Sequence, residues 1–173
     1  MKKFIVLLTF VSLFLTGYAC AEGLGSLFGG LTSLFSLEDE TAYSVGDTAD
    51  LESASVKLLD VYESKGKGEN SPADGNVYLI CEFEFKNNTS EALTVSTMLC
   101  FSAFCDGTSC MLSLESLATA MMSGKFQADT VIEPGKKQTG VVGYEVPADW
   151  EELRITYKPD LLSSDSATFS VMH

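Results

Sequence analysis

In residues 76–87 (NVYLICEFEFKN) apolar and polar positions alternate. Val77, Leu79, Cys81, Phe83 and Phe85 fall on one side, and Glu82, Glu84 and Lys86 on the other. A period of two, rich in aromatic and β-branched residues, predicts a strand with one buried face. Asn87-Asn88-Thr89-Ser90 ends it with turn formers. The same logic predicts strands over residues 54–62 and one or two within 93–105. Asp106-Gly107 is a hairpin signal, with residues 109–112 returning from it. Val142, Tyr144 and Val146 share a face within 139–146, ended by Pro147. Leu153, Ile155 and Tyr157 do the same before Pro159, and Ala167, Phe169 and Val171 close the chain. Residues 113–122 (SLESLATAMM) alone read as a helix, with Ser113 as its cap and Gly124 past its end. Short strands punctuated by Gly, Pro, Asn and Asp predict an all-β fold, an antiparallel sandwich whose helix lies in a connecting loop.

The first 42 residues follow other rules. Lys2 and Lys3 precede an uncharged apolar run over residues 4–15, and small residues follow. That is the layout of a secretory signal peptide, and the run is too short to span a bilayer. Ala19-Cys20-Ala21 suits the ordinary signal peptidase and puts Glu22 first in the mature chain. The alternative cut falls before Cys20 and makes it a lipid-bearing N-terminus; only Ala19 fits that pattern, since Gly17 and Tyr18 hold the other places. Residues 22–42 then read as an apolar Gly/Ser-rich tether. Leu24, Leu27, Phe28, Leu31, Leu34 and Phe35 recur at helical spacing, but Gly25, Gly29 and Gly30 interrupt them, each at a cost of about 1 kcal/mol in a helix. A flexible link and a helix that docks on a membrane or partner are both open. The expected organisation is therefore a signal peptide over 1–21, the tether over 22–42, and the sandwich domain over 43–173.

Charge narrows the partners. The chain carries a formal charge of −13, and loses two lysines with the signal. Such a surface repels phosphate backbones, which argues against nucleic acid as a partner. Any membrane contact would come through Cys20 or the tether.

Five cysteines become four once Cys20 is set aside: Cys81, Cys100, Cys105 and Cys110. An even number in an exported chain predicts disulfides. Of the three pairings, Cys81–Cys100 joins neighbouring inward-facing stretches, and Cys105–Cys110 flanks the Asp106-Gly107 turn. Buried thiols are the alternative. The spacing of Cys100, Cys105 and Cys110 matches no usual zinc pattern.

The order of short motifs carries a resemblance. Val45-Gly46-Asp47-Thr48 opens the domain; Asp74-Gly75-Asn76 leads the Tyr78 strand; Asn87-Asn88-Thr89 precedes Glu91-Ala92-Leu93-Thr94. The Asp106-Gly107 hairpin, Ile132-Glu133-Pro134-Gly135-Lys136 and Tyr144-Glu145-Val146-Pro147 follow. The chain resembles a family of exported Gram-positive bacterial domains of unknown function, akin to a secreted mycobacterial antigen. The resemblance implies an immunoglobulin-like sandwich over roughly residues 43–171, and frequent lipid anchoring. Cys81 and Cys100 stand where the family has core aliphatics or aromatics, and Cys110 where it often has Tyr.

Candidate chemistry is sparse. The sole histidine is His173, at the end of an expected mobile tail, so no Ser-His-Asp or Cys-His arrangement is in prospect unless the tail folds back. Gly66-Lys67-Gly68 lacks the frame of a phosphate-binding loop. Glu82 and Glu84 alternate onto a solvated face. Asp47, Asp50 and Glu52 offer oxygens to calcium without the twelve-residue loop that usually arranges them. Trp150, the single tryptophan, is either a half-buried plug or a partner anchor.

These readings point to an exported, non-catalytic binding or interaction module, outside the cell or on its surface, with no catalytic, cofactor or metal residues and with a protein or envelope component as partner. Loops 63–76 and 121–127, clustered at one end, would form its binding face. The alternatives are an envelope assembly or stress factor and a carrier of a small hydrophobic ligand. The carrier's ligand would sit between the sheets or under the helix, with Met111, Met121 and Met122 lining an adaptable pocket or filling the core.

Overall fold

The computed structural model describes residues 42–160 and 165–173. The chain divides into two units, Met1–Asp39 and Glu40–His173, and the described residues all belong to the second. The expected signal peptide, Cys20 and most of the tether lie outside them.

Among the described residues, ten strands run in the order β1 (Thr48–Asp50), β2 (Ala54–Ser64), β3 (Asn76–Asn87), β4 (Leu93–Val95), β5 (Phe101–Cys105), β6 (Thr108–Cys110), β7 (Thr130–Ile132), β8 (Lys137–Pro147), β9 (Glu152–Tyr157) and β10 (Ala167–Met172). Helix α1 (Leu114–Met122) lies between β6 and β7. One sheet has the order β1-β2-β3-β8 and the other β10-β9-β5-β6, while β4 and β7 form a small ribbon. Every named pairing is antiparallel. The fold is the expected all-β immunoglobulin-like sandwich with one short helix in a connection.

Aromatic rings join the two sheets. Phe83 and Phe85 of β3 meet Phe101, Tyr157 and Phe169 of the opposite sheet at centroid distances of 5.3 to 6.1 Å. Strand β2 stays in phase with this core through a bulge. Its register shifts between Leu58 and Asp60, so Val56 and Leu58 face Phe85 and Phe83, and Val61 then faces Cys81. The extra residue repairs a break in the alternation of VKLLDVY.

The outer face of the first sheet is covered as well. Residues Val77, Tyr78, Leu79, Ile80 and Cys81 are all buried, because α1 lies over Tyr78, Ile80 and Val141 and forms a second small core with Leu117 and Ala120. Ser113 caps α1 as expected: its hydroxyl accepts from the Ser116 amide at 3.1 Å. The approach is close because the strand beneath carries a glycine. A Cβ at Gly143 would stand 2.1 Å from Ser116 Oγ.

The Asp106-Gly107 turn is the predicted hairpin. Both residues have positive φ, 49° and 76°, as a two-residue turn matched to strand twist requires. The Asp106 carboxylate also accepts from the amides of Glu151 and Glu152, at 3.1 and 2.8 Å. Those amide bonds hold its carboxyl below the usual aspartate range. The stability this confers is present above the unfolded aspartate value and is lost as pH falls through the depressed one.

Candidate functional site

The residues singled out by sequence are largely structural. Trp150 is 4% exposed, and its indole donates to Glu63 Oε1 at 2.8 Å. It is a plug rather than an exposed partner anchor. The C-terminus is docked on it, contrary to the expected mobile tail: the His173 ring stacks on the indole at 4.7 Å, and the His173 amide donates to Glu151 O. The returned histidine meets Glu63, at 3.4 Å, and the Trp150 carbonyl. No serine or cysteine is among the contacts described for it.

The carboxylates are engaged separately. Glu82 pairs with Lys125 and Glu84 with Lys137, each at 2.6 Å. Asp47 accepts from the Ser44 amide and Asp50 from the Ser55 hydroxyl. Among the described residues, no three His, Cys, Asp or Glu side chains stand together in a way that could hold a metal ion. Asn87 is fully buried and bonded through both ends of its amide, to Glu91 O, Ile132 O and Thr89, so its Asn-X-Ser/Thr sequence is an internal brace.

Cys81, Cys100, Cys105 and Cys110 stand as thiols. The expected Cys81–Cys100 pairing does not arise. Cys100 sits beside the Ser96 amide and Pro159 O, with Tyr157 as a neighbour, at the Phe85 end of the core. Cys81 lies four residues back along β3, roughly 13 Å at the rise of a strand, beyond the Cα separation that a disulfide spans. The thiol near Cys81 is Cys110. Cys105 and Cys110 share a face of the β5–β6 hairpin, opposite Thr108 and Ala103, near enough for each thiol to affect the other; Cys105 Sγ donates to Asp106 Oδ2 at 3.8 Å and Cys110 Sγ to Thr108 O at 3.6 Å. Burial and the Asp106 charge push the Cys105 thiol up to about 12, and burial raises Cys81 further. Both remain protonated near neutral pH, unlike an activated nucleophile.

Of the two loops expected to form one binding face, residues 63–76 connect β2 to β3, and their turn at Gly68–Asn70 meets α1. Residues 121–127 return along the face of the sheet, where Lys125 reaches Glu82 and the Val141 amide donates to Phe126 O. The places expected for a carried ligand are filled, the intersheet space by the aromatic cluster and the space under α1 by Tyr78, Ile80 and Leu117. Met111, Met121 and Met122 are exposed rather than packed in the core.

The open space lies elsewhere, on the flank where β6 and β8 come together. A cleft of about 340 Å³ has Phe101, Cys110, Leu112 and Tyr144 among its walls. Its rim is Met98, Met111 and Leu114, which are 78%, 86% and 67% exposed. Thr97 and Ser102 complete it, so no lining residue carries a charge. Thr97 is committed: its hydroxyl donates to Asp129 at 2.7 Å and accepts from Gln127 at 2.9 Å. The Tyr144 hydroxyl is buried without a hydrogen-bond partner among the described residues. A larger hollow of about 630 Å³ beside Leu93 and Cys100 is bordered by Asp160, next to residues 161–164, which are not described. Of the cleft residues, sequence reasoning had found only Met111 and Cys110. Met98 and Tyr144 were hidden, because a rim contributed by three separate segments has no spacing to read.

Comparison with known structures supports the sandwich. The protein ycdA of Bacillus subtilis, described as a candidate lipoprotein, matches with a TM-score of 0.59 and 22% identity. That match covers 72% of this chain, which spans 38% of ycdA. The yjhA protein of the same organism matches at 0.57 and 20% identity, over 70% of this chain and 88% of yjhA. An uncharacterized β-sandwich protein of Clostridium difficile matches at 0.50 and 13% identity, over 78% of this chain and 97% of its own. A search of curated proteins gave no match. Residues 43–168 match the model of a domain of unknown function, DUF4352, and with most of its length inside that match the chain belongs to the DUF4352 family.

Proposed function

We propose that this chain is an exported, non-catalytic binding module whose site is the methionine-rimmed cleft between β5, β6 and the start of α1. The observation that carries the reading is the exposed apolar rim of Met98, Met111 and Leu114 above a cleft with uncharged walls. Isolated exposed apolar residues need no explanation, but a cluster around a concavity marks a place for an apolar partner. Methionine suits such a rim, since its unbranched side chain repacks at little cost. Export is supported by the signal-like N-terminus and by the likeness to ycdA; among the described residues no helix is long and apolar enough to cross a membrane.

The test is binding of the neutral dye Nile red. The folded chain raises its fluorescence, and Met111→Asp with Leu114→Asp abolishes the rise while leaving the thermal melt nearly unchanged, since both side chains are exposed. A folded wild-type chain without the signal, or a double variant that keeps it, sinks the reading.

Export has a consequence for the thiols. In an oxidising compartment Cys105 and Cys110 give up two protons and two electrons to a disulfide-bearing oxidase and form one bond, while Cys81 and Cys100 stay reduced. The intact mass of the native protein then lies one pair of hydrogens below its reduced mass. A deficit of two pairs, or none, contradicts this assignment.

A further inference from the structure

We propose that the cleft takes a neutral, mostly apolar small molecule bearing one hydroxyl group, held by a hydrogen bond to the Tyr144 hydroxyl. This rests on the reading of the cleft as the binding site, and adds the class of its ligand. Three observations lead to it.

The first is Tyr144 itself. It is 2% exposed, lines the cleft, and its hydroxyl has no partner among the described residues. Phenylalanine would fill the same space without stranding a polar atom, and a stranded buried hydroxyl costs stability. The Tyr157 hydroxyl is unpartnered in the same way, but of the two tyrosines it is Tyr144 that lines the cleft, where a partner can arrive from outside. The nearby groups that interact with it are the thiols of Cys81 and Cys110, which are weak hydrogen-bonding groups.

The second is the charge of the walls. Neither a basic nor an acidic side chain lines the cleft, so an ionic ligand would lose its hydration without compensation. The formal charge of −13 disfavours an anion further.

The third is size and access. A volume of about 340 Å³ is at the small end of ligand sites. The hydroxyl is shut off from solvent, and the exposed side chains of Met98 and Met111 are the groups that can move to admit a ligand. A polar tip on an apolar body would meet the rim with its body and the tyrosine with its tip.

The test uses 1-octanol and octanoate as probes, titrated into the full chain and followed through the Met111 methyl resonance. Octanol shifts it to saturation, and octanoate binds at least about tenfold more weakly. Tyr144→Phe keeps the fold, melts no lower than wild type, and binds octanol about three- to tenfold more weakly. Tyr157→Phe removes the other unpartnered buried hydroxyl, on a residue that packs against Phe101 without lining the cleft itself, and leaves binding unchanged. Equal binding of the two probes, or undiminished binding of octanol by Tyr144→Phe, overturns the proposal. If octanol leaves Met111 unmoved while Nile red still binds, the ligand class is wrong and the site stands. If both fail, the site falls with it.

Discussion

Phe83→Ala lowers the stability of the folded chain by about 3–5 kcal/mol, the range for removing a large buried aromatic ring. Phe83 is fully buried and is the residue on which the two sheets meet most directly. Its ring lies 5.3 Å from Phe101 and 5.5 Å from Phe169, on different strands of the opposite sheet, and 6.0 Å from Phe85 on its own. Truncation removes contacts with all three at once, and the close-packed sheets cannot collapse to fill the gap. Domains of this kind have only about 5–15 kcal/mol to lose, so urea unfolding should show a transition moved to much lower denaturant. Phe104→Ala, on β5 of the opposite sheet and 47% exposed, should change stability by about 0.5 kcal/mol or less. Equal effects at the two positions would mean that Phe83 is not at the centre of the core.

Gly143→Ala should also destabilise, by about 1–3 kcal/mol. Adding a side chain to a strand glycine ordinarily helps by roughly 0.5–1 kcal/mol, so the sign of the change is diagnostic. The new Cβ would stand 2.1 Å from Ser116 Oγ and 2.9 Å from its Cβ. The Ser116 hydroxyl cannot simply turn away, because it donates to Ser113 O at 2.7 Å in a buried turn. The Ser113 amide is in turn bonded to Gly143 O at 2.8 Å. The start of α1 must therefore lift, and Leu114, part of the cleft rim, lifts with it. Hydrogen exchange in the helix should speed up, and dye binding should weaken. Adding Ser116→Gly removes both clashing atoms and should recover part of the loss, a coupling of about 0.5–3 kcal/mol in a double-mutant cycle. Additive losses would show that the two residues do not meet.

The sandwich was legible because its strands alternate. Phe83 and Phe85 face inward and Glu82 and Glu84 outward, as their spacing requires, and both glutamates are surface ion-pair partners. Ser113 reads as a cap from its position before the helix-forming run LESLATAMM, and caps in fact. What escaped notice was the second layer. Residues 77–81 form an unbroken apolar run, the mark of a strand buried on both faces, yet the reading used only the odd-numbered half. Strands β1 and β7 are three residues long, too short for any period to declare itself. The cleft was illegible for a different reason. Met98, Met111 and Tyr144 come together only when β5, the approach to α1 and β8 are packed. The cysteines failed for a related cause: spacing along the chain placed Cys81 near Cys100, whereas the packing of the two sheets brings it near Cys110.

The most direct measurement is the methyl spectrum of the folded chain, labelled on its methionines, with and without saturating Nile red. The account predicts that Met98 and Met111, on the cleft rim, shift strongly. Met172, also exposed, at 70%, but on β10 beside the docked C-terminus, stays in place. Unchanged methionines throughout, or a shift at Met172 with none at Met98 and Met111, would contradict the assignment of this cleft as the binding site.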